Sequence, residues 1–438
     1  MSDSPAPVDD PRPADGVPGA RAVLANRSAL ALLTSTTLAT TAAAAQFTAL
    51  GKQVFDLTGR SLDLGLLGLA EFVPAALLVV AAGALADRFD RRRVMALALL
   101  AEAGCSLAIG ALVGRPVTTV GPLLLVVVAF GTSRALGVPS SRSLPAMVVP
   151  PGALPRMMAF FAGSWQFGLI VGPVLGGFLY AWGPVRPFVV SSVLMAVAAA
   201  SITLVRFHPD ADTRTASTEE RSGMRAALEG LRFVRRTPLL LGAISLDLFA
   251  VLFGGAVALL PAIATERLGV GAVGLGWLRA AGGIGAALTT AVLAAHPLRR
   301  RVGHWLFGAV AVFGAATLVL GTTRVYAVAF AALFVLSAAD AISVFVRVSI
   351  VPLVTPNEVR GRVFAVENVF IGASNELGAF ESGVAGQLLG LSGAVVLGGM
   401  ATLAVVGIWC VLFPALRQVD RFEDLTSDPP TIPPGPLP

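Results

Sequence analysis

The chain has 438 residues, 55% hydrophobic and 13% charged, with a net charge of +6 and a mean hydropathy of +0.80. Soluble domains carry roughly 25% charged residues, so this composition excludes an ordinary water-soluble globule and makes lipid the solvent for most side chains. All but one of the 32 basic residues are arginine, Lys52 being the exception.

Residues 1–26, rich in Pro, Asp and Ala, read as a disordered tail without the basic start of a signal peptide. Twelve apolar segments follow, each near the length of about 20 residues that crosses a bilayer. They run over approximately 28–52, 64–86, 94–113, 118–140, 157–181, 187–206, 239–261, 274–295, 304–321, 325–349, 363–389 and 393–415. Pro and Gly mark the joints, as at Gly114, Pro150, Gly183, Pro238 and Pro356. A polar stretch, 207–237, separates the sixth and seventh spans; its piece near Met224–Arg236 is amphipathic and reads as a helix lying along the membrane surface. Residues 417–438 form a second, Pro-rich tail.

Arg and Lys set the orientation. With the N-terminus inside, 23 basic residues fall in cytoplasmic segments and six in external loops. Both ends are therefore expected in the cytoplasm, in a multi-pass protein of the cell membrane. Three more arginines, Arg134, Arg279 and Arg347, fall within spans.

The two halves echo each other. Leu85–Arg93 matches Leu293–Arg301 at an offset of 208 residues, the offset that also pairs Glu71 with Arg279. Such a repeat predicts two parallel six-helix halves with a site between them. Glu71 and Arg279 could then face each other across the pseudo-axis.

The turn between the second and third spans reads Gly83-Ala-Leu-Ala-Asp87-Arg88-Phe-Asp-Arg91-Arg-Arg93. Gly83 would let its helix pack closely against a neighbour. Asp87, near Arg88 and Arg91, could accept hydrogen bonds from a helix N-terminus and hold one conformation of a switch. The plain alternative is a solvated loop obeying the orientation rule. In the fifth span Gly168, Gly172, Pro173 and Gly176 make a smooth face for helix contact, with a proline able to kink it. Arg134 in the fourth span must pair, face a cavity or snorkel.

Seven acids lie in apolar spans: Glu71, Glu102, Asp247, Asp340, Glu367, Glu376 and Glu381. Buried carboxylates are natural proton carriers. Asp247 sits in a stretch with no other charge and is the first candidate, with Glu376 and Glu381 next; the alternative for each is a satisfied structural acid. The hydroxyls of the first span, Thr34–Thr37, Thr40 and Thr41, either line a polar cavity or bond their own helix carbonyls. Cys105 and Cys410 lie in apolar runs, and His208, His296 and His304 lack ligand spacing, so no metal or other cofactor is expected. No phosphate-binding Gly-x-x-x-x-Gly-Lys-Ser/Thr string occurs either.

Together these motifs resemble the major facilitator superfamily over about residues 27–416. The 83–93 turn looks like that family's loop signature, with Asp90 where Gly is usual and with Ala295 replacing the acid in the second half. Arg134 matches the helix-4 motif, although Gly137 comes one residue early. Gly168–Gly177 looks like the helix-5 motif of drug–proton antiporters. The strings Gln53–Gly59, Leu246–Gly255 and Phe370–Gly378 look like the branch holding the enterobactin exporter. The resemblance implies an all-α integral membrane fold of twelve helices in two bundles, 27–206 and 238–416. It further implies a monomeric, proton-coupled exporter of a small, partly hydrophobic compound, with no nucleic-acid partner. A proton symporter importing its substrate, or a non-transporting sensor, would share the fold.

Overall fold

The computed structural model describes residues 20–115, 119–207 and 224–425. Those residues are helical, with no strand among them. After a short helix, Ala20–Ala25, six long helices follow: α1 Arg27–Thr58, α2 Ser61–Arg88, α3 Arg91–Val113, α4 Gly121–Val148, α5 Leu154–Trp182 and α6 Arg186–Thr203. The second set begins with α7 Pro238–Phe253, α8 Ala272–Ala295, α9 Val302–Thr322 and α10 Tyr326–Val354. The helix Asn357–Leu412 is broken at Gly390, whose φ of 74° no L side chain readily adopts, and so forms α11 (357–389) and α12 (391–412). Among the described residues eleven stretches are long and apolar enough to cross a membrane, α7 counted together with the turns up to Arg267 and the broken Asn357–Leu412 counted as one. Divided at Gly390, they give the twelve expected segments, most of them longer than their apolar cores. Residues 1–19, 116–118, 208–223 and 426–438 lie outside the described residues, whereas the end of the expected N-terminal tail is the helix Ala20–Ala25.

Local chemistry explains the ends. Asn26 caps α1 by accepting the amides of Ser28 at 2.9 Å and Ala29 at 3.2 Å. Gly59 closes the other end in the left-handed conformation, φ 61°. Asp90, the departure from the expected glycine, is the N-cap of α3: it accepts the Arg92 amide at 2.9 Å and pairs with the Arg92 guanidinium at 2.7 Å. Arg92 in turn lies 4.3 Å over the Phe207 ring and donates to the Val205 carbonyl at 2.9 Å, tying α3 to the end of α6.

Within the first half α1 packs on α5 and α6, α2 on α4, and α3 on α4 and α6; in the second, α8 and α9 pack on α10, and α7 and α9 on the α11–α12 pair. The halves meet along two seams, α2 against α11 and α5 against α8. Both seams are built from small residues. A side chain added at Gly65 would begin 3.0 Å from the Phe380 backbone, and one at Gly383 would begin 2.9 Å from Gly65. In the other seam, a side chain on Gly276 would meet the Pro173 carbonyl at 2.5 Å, and Gln166 donates to the Gly283 carbonyl at 2.8 Å. These contacts lie between residues 61–72 and 372–386, and between 166–177 and 272–283, toward the end away from the arginine-rich turns. Toward the arginine-rich end Gly163 and Gly361 have no such neighbour within 4 Å among the described residues, and Arg142 donates to Asn368 across the halves at 3.4 Å.

Two features differ from the sequence expectation. The seventh span is not one regular helix: α7 stops at Phe253, a 3-10 turn covers Gly255–Leu259, and a wide π turn covers Ile263–Arg267. Helix Met224–Arg236 is docked on the second half, a contact its amphipathic pattern does not specify. Its Gly230 abuts the Arg362 backbone, Val234 is buried against Val363 and Leu240, and Glu229 pairs with Arg362.

Candidate functional site

Between the halves lies a cavity of about 290 Å³, walled by Phe47 and Gly51 of α1, Gly68 of α2, Arg279 of α8, Asp340 of α10 and Glu376 of α11. The interrupted α7 supplies one wall through Val251, Gly254, Gly255 and Pro261. Irregular backbone at membrane depth is tolerated where it lines a cavity, and here it does.

Two charge clusters flank this cavity. In the first, Glu71 of α2 faces Arg134 of α4 at 3.8 Å. The reason is local packing: a side chain on Gly131 would begin 3.0 Å from the Glu71 Cα, so the helices approach closely there and Arg134, one turn on, lies over Glu71. Glu102 of α3 and Glu376 of α11 are within electrostatic reach of the same pair. Glu376 comes from the opposite half: its Oε2 stands 2.8 Å from where a side chain on Gly68 would begin. The expected pairing of Glu71 with Arg279 is therefore not made, because the neighbouring helix α4 reaches Glu71 first.

The second cluster lies inside the second half. Arg347 of α10 donates from Nε to Glu367 of α11 at 3.0 Å and forms an ion pair with Asp247 of α7. All three side chains are buried. Asp247 is thus not the isolated acid its local sequence suggests; its cation arrives from 100 residues away. Asp340, two turns before Arg347 on α10, stands between this triad and the cavity. In the sequence Asp340 and Arg347 stand out only as charges within spans. Their spacing of seven residues, which puts both on one helix face, was the available signal.

Arg279 has a different environment. Its guanidinium lies 5.1 Å over the Phe47 ring, beside the gap left by Gly51, and its buried Nε has no hydrogen-bond partner. Glu381 sits half-buried on α11 next to Ser382, 3.5 Å away, outside the cavity wall.

The helix-5 glycines form the interface with α1. Side chains at Gly168 and Gly172 would begin 2.7 Å from Thr40 Cβ and 2.6 Å from Ala44 Cβ, and Gly176 is seated on Ala45. Thr36 and Thr37 bond their own helix carbonyls at 2.9 Å, whereas Ser35 reaches across to Ala198 of α6 at 2.9 Å. At the closed end the Tyr180 hydroxyl bonds Gln53 at 2.9 Å and Asp56 at 3.0 Å, and Lys52 pairs with Asp56.

The turn at 83–93 is only partly as expected. Among the described residues a side chain on Gly83 would meet nothing within 4 Å, so no close packing is seen there. Arg91 reaches from the start of α3 to the Ala86 carbonyl at 3.4 Å and Met147 of α4 at 3.5 Å. Arg88 is exposed, 6.0 Å over Phe89. The Asp87 side chain lies outside the described residues. Among the described residues no cluster of His, Cys, Asp and Glu could hold a metal ion.

A family model described as Major Facilitator Superfamily matches residues 29–379. The chain is 27% identical over 388 residues to the uncharacterized MFS-type transporter YfiS of Bacillus subtilis, covering 84% of this chain and 88% of that one. It is 26% identical over 390 residues to the multidrug efflux pump Tap of Mycolicibacterium fortuitum, covering 84% and 91%. Among solved structures, a bacterial homolog of the human lysosomal transporter Spinster, inward-facing and occupied, superposes with a TM-score of 0.66 at 16% identity, covering 89% of this chain and 95% of that one.

Proposed function

This chain belongs to the Major Facilitator Superfamily, and we propose that it is a proton-coupled exporter that exchanges protons for a small, partly hydrophobic compound such as a siderophore, secondary metabolite or drug. As an MFS-type transporter it is embedded in a membrane and acts on a small molecule. The finer reading has it in the cell membrane as a monomer with both termini in the cytoplasm. Bundles 27–206 and 238–416 rock about the cavity, with the open, arginine-rich end facing inward.

The observation that carries the coupling is the position of Glu376. It belongs to one half yet sits against Gly68 of the other, within reach of Glu71 and Arg134. A carboxylate's proton affinity depends on the charges beside it. Parting the α2–α11 seam removes Glu376 from both Glu71 and Arg134, so proton binding and the rocking motion become linked. Asp340 on the cavity wall is the second acid from which a substrate could displace a proton. Export is supported by the helix-5 glycine interface and by the relative named as a multidrug efflux pump. The likeness of Gln53–Gly59 and Leu246–Gly255 to the enterobactin-exporter branch points to secreted metabolites.

The test compares metabolites inside cells and in spent medium, with and without this gene, under iron-replete and iron-poor growth. A compound that accumulates inside and vanishes outside in the deletion is the expected result. The reverse pattern would make the protein an importer.

A further inference from the structure

Arg279 is the unusual group in this cavity. Arginine in a membrane interior is costly unless paired or wet, and Arg134 and Arg347 both have carboxylates of their own. Among the described residues no ion pair or hydrogen bond reaches Arg279. Its Nε is buried without a partner, and it faces the cavity beside Phe47. Guanidinium presents a planar fork of donors that matches a carboxylate or similar oxyanion. Asp340 and Glu376 stand on the same wall, and among the described residues neither forms an ion pair or a side-chain hydrogen bond. The cavity therefore offers one unclaimed cation, two acids and the apolar faces of Phe47 and Phe313.

We propose that the substrate is amphoteric: a small molecule that presents a planar oxyanion to Arg279, an aromatic or apolar body to Phe47 and Phe313, and a protonated amine to Asp340 or Glu376. A cavity of about 290 Å³ is at the lower edge of the range for small-ligand sites, which favours a compact molecule. This assignment rests on the reading of the cavity as the transport site.

The experiment uses the full chain purified in detergent and three probes that share one skeleton: 4-(aminomethyl)benzoate, 4-methylbenzoate and 4-methylbenzylamine. Calorimetry should find the first bound roughly tenfold or more tighter than either single-charge congener, the scale of one charge-assisted contact. Arg279→Gln should bring its affinity down to that of the benzylamine. The double variant Asp340→Asn/Glu376→Gln should bring it down to that of the benzoate. Equal affinities for the three probes in the wild-type protein, or no binding of the zwitterion at millimolar concentration, would overturn the proposal without recourse to any variant. So would undiminished binding to Arg279→Gln. Proteoliposomes then separate this proposal from the transport reading. Binding that depends on Arg279 without movement of the probe keeps the site and sinks transport. Movement of 4-(aminomethyl)benzoate indifferent to Arg279→Gln keeps transport and sinks the site.

Discussion

Arg347 and Glu367 meet at 3.0 Å between α10 and α11, and because the same guanidinium also holds Asp247 of α7, one buried side chain ties three helices of the second half together. Removing one partner of such a cluster strands the others without their counter-charge. Arg347→Met should cost about 3–5 kcal/mol of stability, and neutralising both acids in the same protein should recover most of it. Thermal unfolding in detergent reads both. A single variant as stable as wild type would mean the three groups do not form a working unit.

The location of the acids separates coupling from architecture. Glu376 bridges the halves and Asp247 does not. Glu376→Gln should leave the protein folded while flattening the response of transport to a pH gradient in proteoliposomes. Asp247→Asn should lower the melting temperature and keep that response. If the two variants exchange these phenotypes, the proton is carried inside the second half.

The glycines of α5 and α2 should behave oppositely. Gly172→Val pushes a branched side chain into Ala44 and the Thr41 carbonyl, an overpacking worth about 1–3 kcal/mol. Gly83→Ala meets open space and gains helix propensity, up to about 1 kcal/mol. If Gly83 is kept for a close approach in the alternate state, Gly83→Ala will slow turnover while the melting temperature holds or rises. Unchanged turnover would remove Gly83 from the switch.

Asp90 should give the turn a pH signature. Its hydrogen bonds with the Arg92 side chain hold its carboxyl below the usual carboxylate range, despite partial burial. A lowered folded-state pKa means stabilisation that is fully present above the ordinary carboxylate pKa and fades as pH falls through the lowered value. Asp90→Ala should cost about 1 kcal/mol near neutrality, while Asp90→Gly, the residue usual in the family, should cost a few tenths. The gap between wild type and Asp90→Ala in unfolding midpoint should close on acidification. A gap that persists unchanged at low pH would show that the cap is not electrostatic.

Much of this fold is legible from hydropathy, since a bilayer-length apolar run has few alternatives to a helix. The 208-residue repeat and the α5 glycines are legible for the same reason: each is a local or periodic pattern. What escaped were relations between distant helices. Glu71 takes Arg134 rather than its repeat mate Arg279 because Gly131 lets α4 close on α2. Asp247 looks alone until Arg347 arrives on another helix. The break after Phe253 is foreshadowed by Gly254, Gly255 and Pro261, but their cavity-lining role depends on what packs beside them.

One structural asymmetry reaches into how the protein is made. In the first half the acid at the start of α3 is Asp90, supplied by the adjacent turn. In the second half, Asp420 supplies it for α9: its carboxylate accepts the Arg301 amide at 3.0 Å and meets Arg300 at 3.3 Å, while the Val419 carbonyl accepts the Gly303 amide at 2.9 Å. These partners are 119 residues apart along the chain. During synthesis α3 can be capped as it emerges, whereas α9 must wait until 119 further residues have been translated. A truncation between Leu412 and Asp420 would thus leave every span in place and the second half unsealed, a defect visible to quality-control proteases rather than to the insertion machinery.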